Sequence, residues 1–222
     1  HLRGYRKSCI VETFRVAIIG TESCKFHADT AKIFDSTREY SKVLTRISVW
    51  LVFIDYLRKR RLKSTRSKPV TILTLSEAHQ RAKLLFFSYV QQVYFLDEFY
   101  CLAANEKLDP DSTLVRYNPY LDTIRGVKLI RSNSRLVNLP GGEYFKRPIL
   151  MPKFSHNDHQ NWAKCYAQHF HEKLFHCTTE TLYFFLRQTV VFLGGKASIK
   201  KIVRYCIKCN KRDPAKNVNN PQ

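Results

Sequence analysis

Three histidines fall within one short run, His169-Phe-His171-Glu-Lys-Leu-Phe-His176, and a Cys206-Ile-Lys-Cys209 pair follows about thirty residues later. Imidazole nitrogens and thiolate sulfurs grouped as two close pairs are what a tetrahedral zinc site asks for. Cys206 and Cys209, three apart, can grip one ion from the end of a helix. His171 and His176 are five apart, which on an unbroken helix leaves them about 140° out of register. The spacing therefore predicts a helix that stops between them, with His176 ligating from the following turn. His169 is the competing first ligand, ranked second. A redox reading of Cys-x-x-Cys needs a βαβ setting, which the flanking pattern does not offer. His156 and His159 read as capping or surface residues, and Cys165 and Cys177 as small buried or part-exposed thiols. Zinc held by His171, His176, Cys206 and Cys209 is the expectation.

Three elements must carry these ligands. Ser155 or Asn157 can cap a helix with Trp162, Cys165, Tyr166, Phe170 and Leu174 on one face, and Thr178 or Thr179 can cap a second bearing Leu182, Phe185, Leu186 and Val190. Gly194 and Gly195 then break the chain before a third, with Ile199, Ile202, Val203 and Cys206 at helical steps. Three short helices bury little by themselves, and a metal staple suits a unit of that size.

Upstream, Ser36 and Glu39 form a capping box ahead of a long helix in which Tyr40, Val43, Leu44, Ile47, Trp50, Leu51, Ile54 and Leu57 share a face. It runs into a basic tract, residues 58–68, ended by Pro69, which reads at least as well as a solvated charged tail as it does as a phosphate-contacting arm or a nuclear import signal. Thr74 and Glu77 repeat the box before a second long helix ending ahead of Pro110. Its aromatic residues are expected in the core rather than stacked on bases. Residues 127–142 read as a hairpin around a Ser-Asn-Ser turn, and the "ILM" run at 149–151 as a third short strand. The expected class is mainly α: a lead-in at 1–35, a helical spacer at 36–110, a short-strand region at 111–153, a zinc-stapled three-helix module at 154–212, and a tail at 213–222.

Charge supplies the partner. Thirty-eight Lys and Arg against eighteen Asp and Glu leave a formal +20 over 222 residues, a balance that calls for a polyanion. Past Glu180 nine basic residues meet one acid. Lys196, Lys200, Lys201, Arg204, Lys208, Lys211 and Arg212 are the expected nucleic-acid face, most simply for DNA phosphates. The longest apolar stretch, residues 47–57, is too short to span a bilayer and is interrupted by Asp55. Glu12 and Arg15 interrupt the N-terminal apolar run before it could serve as a signal sequence. Seven cysteines, an odd number and scattered except for the Cys206/Cys209 pair, speak against a secreted disulfide scaffold and for a reducing compartment, cytoplasmic or nuclear. Opening on His1, the chain is expected to be a piece of something longer.

The stretch from His169 to Cys209 resembles the zinc-binding amino-terminal domain of retroelement integrases, most closely that of Bel-Pao retrotransposons. "HEKLFH", "LRQ", "LGG" and "CIKC" stand in that family's order, preceded by "YNPYLD", "RSNSRL" and "RPILMPK". The two long helices are similar to the family's spacer between its RNase H and integrase regions. Cys177 and Thr178 stand where the family has a glycine after the second histidine, Val191 and Phe192 where it has a tryptophan, and "IRSNSR" lacks its paired glycines. The resemblance implies nucleic-acid binding and assembly with integrase partners or with itself during DNA integration. It also implies no catalysis from this chain, because the three-carboxylate, two-metal core would follow Cys209, where thirteen residues hold one acid, Asp213. The alternatives are a helical interaction or oligomerisation module, or the remnant of a decayed element.

Overall fold

The computed structural model describes residues 39–63, 73–133, 138, 140–154 and 161–212. Among these the protein is mainly α, with one small four-stranded sheet. The chain divides into two compact units, residues 1–104 with 121–129, and residues 105–120 with 130–222. The lead-in, the Ser36 cap, residues 64–68 of the basic tract, the Ser155 and Asn157 caps, His156, His159 and the tail lie outside the described residues.

In the first unit α1 (Tyr40–Lys63) packs along α2 (Leu75–Tyr94), and α3 (Leu96–Ala103) follows after a break at Phe95. The Thr74–Glu77 capping box forms as expected: Glu77 N–H donates to Thr74 Oγ1 at 3.3 Å and Thr74 N–H to Glu77 Oε2 at 3.0 Å. Tyr40, Val43, Leu44, Ile47 and Leu51 of α1 are buried, with the Tyr40 ring edge-on to Phe86 at 4.8 Å. Trp50 and Leu57, expected in that core, are on the surface. Leu51, one position after Trp50, supplies the core contact at that turn and leaves the indole outside. The α2 aromatics Phe86 and Phe87 are core, as expected.

The hairpin joins β1 (Pro119–Ile124) to β2 (Val127–Ser132). Its turn is Arg125-Gly126, with φ of 50° and 78°, the paired positive values of a two-residue hairpin loop. Of the expected Ser-Asn-Ser turn, Ser132 instead ends β2, where its N–H donates to Pro148 O at 2.9 Å, and Ser134 lies outside the described residues. Arg131, 1% exposed, binds the short helix α4 (Glu143–Lys146) to β2 by donating to Arg147 O at 2.6 Å and Glu143 O at 3.1 Å.

The remaining elements of the second unit are β3 (Ile149–Met151), α5 (Trp162–Lys173), α6 (Thr179–Arg187), β4 (Val190–Phe192), α7 (Gly195–Arg204) and α8 (Ile207–Arg212). The "ILM" strand forms where expected. Val190, placed on the second module helix by its periodicity, instead begins β4, which runs parallel to β3 with Ile149 opposite Val190 and Met151 opposite Phe192. Val-Val-Phe suits a strand, and the ladder is closed by Ile149 N–H to Thr189 O at 3.0 Å and Leu193 N–H to Met151 O at 2.9 Å. This ladder anchors the α6–α7 connection. Asn161 caps α5, its Oδ1 accepting from Lys164 N–H at 2.9 Å, and Thr178 caps α6. Leu182, Leu186, Ile199, Ile202, Trp162 and Tyr166 form the core between the three helices.

Candidate metal centre

The α5 helix ends at Lys173, two residues past His171. Phe175 and His176 then take φ of 55° and 61°, a left-handed pair uncommon for residues bearing a Cβ. This reversal folds His176 back on the helix end: its N–H donates to His171 O at 2.8 Å and the two rings stand 4.9 Å apart at 86°. The helix thus stops between the two histidines, as their spacing requires.

The cysteines come from the α7–α8 junction. Cys206 lies in the break after α7, and Cys209 sits within α8, whose backbone returns to the junction through Asn210 N–H to Cys206 O at 3.0 Å. His171 Nε2 is 3.3 Å from His176 Nδ1, Cys206 Sγ is 3.2 Å from His176 Nδ1, and Cys209 Sγ is 3.3 Å from His171 Nε2. All four donor atoms lie within 4.8 Å of one another and can hold a metal ion. Metal–ligand bonds of about 2.0–2.3 Å at tetrahedral angles put donors about 3.3–3.8 Å apart. The three contacts already stand near that spacing, and the widest pair needs to close by no more than about 1 Å, within reach of side-chain rotation.

His171 is 1% exposed, and its outer nitrogen Nδ1 is buried without a hydrogen-bond partner. Burial, reinforced by the neighbouring His176 and opposed by Glu172, holds the His171 pKa below the ordinary histidine value. A neutral ring carrying its proton on Nδ1 aims the Nε2 lone pair into the cluster. His169 lies on α5 outside the four-donor group, its ring against Phe170 at 5.2 Å. Cys165 and Cys177 are likewise outside it and half-buried.

Lys196, Lys200, Lys201 and Arg204 are all exposed on α7, opposite its buried Ser198, Ile199 and Ile202. Lys196 is ion-paired with Glu180 of α6, so its charge is partly spent within the protein. Lys208 and Lys211 are exposed on α8, which Arg212 ends. A cavity of about 360 Å³ opens beside the cluster. His171, His176 and Cys206 stand in its wall with Lys164, Gln168 and Glu172 of α5 and with Tyr205 and Ile207. Sequence reasoning missed this wall, although the 164–168–172 spacing on one helix was a signal for it.

No helix among the described residues is long and apolar enough to cross a membrane. No family model, no curated protein and no solved structure matches the chain.

Proposed function

We propose that residues 161–212 form a zinc-stapled nucleic-acid-binding module of the integrase kind. In this reading the chain is a noncatalytic part of a Bel-Pao-type polyprotein, contributing DNA contact and subunit assembly during integration. The observation that carries it is the convergence of two imidazole nitrogens and two sulfurs from segments thirty residues apart at near-tetrahedral separations. Sulfur donors disfavour magnesium and calcium, and a closed four-ligand set of this type suits zinc in a structural role. Zinc bound there supplies a rigid anchor between the end of α5 and the α7–α8 junction. The chain's own cations do the binding: Lys200, Lys201 and Arg204 project from α7 while its opposite face is held in the core. Phosphate neutralisation by such a face releases counterions, so affinity falls steeply with salt and depends little on sequence.

The test is zinc per chain by elemental analysis on protein purified without chelator, beside DNA binding as salt is varied. One zinc per chain, lost in His176→Ala, is expected, with binding abolished when Lys200, Lys201 and Arg204 are reversed to glutamate. A folded parent without zinc, or an affinity indifferent to salt, refutes the reading.

One observation favours a second reading, a protein-interaction module. Val49, Phe53, Tyr56 and Leu57 lie on the outward face of α1 and are 40–55% exposed, an apolar band of the kind that marks interaction sites. Under that reading the charge reversal leaves partner binding and self-association unchanged, whereas Phe53→Glu abolishes them.

A further inference from the structure

We infer that the cavity beside the metal cluster receives the base of an unpaired nucleotide, so that the module favours single-stranded nucleic acid over blunt duplex. The inference rests on the nucleic-acid reading above and specifies the form of the polyanion.

Size is the first constraint. About 360 Å³ is near the lower limit of small-ligand pockets, which run from about 300 to 1,000 Å³. One nucleotide enters such a space and a base pair within a duplex does not. The wall is the second. Tyr205, closing α7, and Ile207, between the two cysteines, border the cavity while remaining 57% and 71% exposed. An aromatic ring and a branched aliphatic chain at the mouth of a concavity offer a stacking surface for any base. Both flank Cys206, so metal binding fixes the platform as well as the fold.

The polar groups decide the ligand class. Lys164 of α5 and Lys208 of α8 bring positive charge from two elements. Gln168 and Glu172 line the same cavity, with Gln168 Nε2 donating to Glu172 Oε1 at 3.2 Å. A bare phosphate would suit the lysines but meet the Glu172 carboxylate. An apolar side chain would suit Tyr205 and Ile207 but make no use of Lys164, Gln168, Glu172 and Lys208, which line the same cavity with exposed polar groups. A nucleotide satisfies all three sets: phosphate against the lysines, base face against Tyr205 and Ile207, and base-edge N–H groups toward Glu172. The basic face of α7 then tracks the phosphates of the same strand.

The experiment uses the full zinc-loaded chain and fluorescence anisotropy with two labelled probes, a blunt DNA duplex and the same duplex carrying a single-stranded overhang. The overhang probe is expected to bind more tightly. Tyr205→Ala should weaken it about five- to a hundredfold, the range one aromatic–base contact supplies, while blunt-duplex binding holds and Tyr205→Phe restores the preference. Ile207→Asn, at a still more exposed position, should act in the same direction, with zinc content reporting that both variants fold. Equal affinity for the two probes overturns the inference while leaving the phosphate reading intact, as does an equal loss for both in Tyr205→Ala. Displacement of the overhang probe by a free nucleoside monophosphate at its own affinity overturns the strand form. Failure of both probes to bind removes the nucleic-acid reading and this inference with it.

Discussion

Gly194 sits one residue before α7, and replacing it tests whether the start of that helix positions both the basic face and Cys206. Its φ of −134° is open to any residue, so alanine there carries no backbone penalty. A Cβ at this position would fall well inside the contact distance of Ser198 Oγ, with Lys153 Cγ at 3.1 Å and Ser198 Cβ at 3.4 Å. Ser198 is 3% exposed, and its hydroxyl has little room to swing aside. Overpacking of this kind costs about 1–3 kcal/mol, or roughly 4–8 °C of melting temperature per kcal/mol for a unit of about 100 residues. Ser198→Ala removes the offending oxygen and leaves contacts that a flexible lysine stem can relieve. The double variant Gly194→Ala/Ser198→Ala should therefore recover most of the loss, with a coupling of about 1–2 kcal/mol. Gly195 is the control: its φ is +53° and nothing lies within 4 Å of its virtual Cβ. Gly195→Ala should lose about 1–2 kcal/mol through backbone strain, and Ser198→Ala should not relieve it. The assay is urea denaturation by circular dichroism at one fixed zinc concentration. A Gly194→Ala variant as stable as the parent, or one that Ser198→Ala fails to rescue, refutes the steric argument.

Three further outcomes are expected. Phe175→Gly removes the left-handed penalty at a side chain that is 86% exposed and should tighten zinc binding about two- to fivefold, roughly 0.5–1 kcal/mol; competition with a chromogenic chelator measures it, and weaker binding counts against stored strain in that turn. Acidification should release the metal and lower stability, because burial holds the folded pKa of His171 below the ordinary histidine value, so the unfolded ring binds protons first: its contribution is full above that ordinary value and is lost as pH falls through the folded value. Urea midpoints that stay level on acidification would rule this out. Lys200→Ala should reduce the magnitude of the salt slope of DNA binding by about one unit, whereas Lys196→Ala, whose side chain pairs with Glu180, should change it little; equal slopes for the two variants would contradict the assignment of the binding face.

Local rules made part of this protein legible in its sequence. The Thr74–Glu77 box and the Thr178 cap form because a hydroxyl or carboxylate within three residues of an orphan N–H needs no distant partner. The end of α5 between His171 and His176 could be read from angular spacing, since two ligands 140° apart cannot converge from one straight helix. The ligand set itself was legible as two close pairs whose chemistry demands a common centre. What remained hidden depended on contacts across the fold. Val-Val-Phe continues the apolar periodicity of α6, and its strand state arises from pairing with Ile149–Met151, about forty residues away. The turn at Arg125-Gly126 went unread, and Ser132, read as a turn residue, is held at the end of β2 by its hydrogen bond to Pro148. Trp50 and Leu57 fit the apolar stripe of α1, but that stripe is wider than the strip α2 can cover, so packing left them outside. Composition thus determined the charge, the caps and the donor atoms, which act over a few residues. Tertiary structure decided which apolar residues meet, how α7 presents its cations, and that a cavity opens beside the four donors, because each depends on surfaces brought together only when the chain folds.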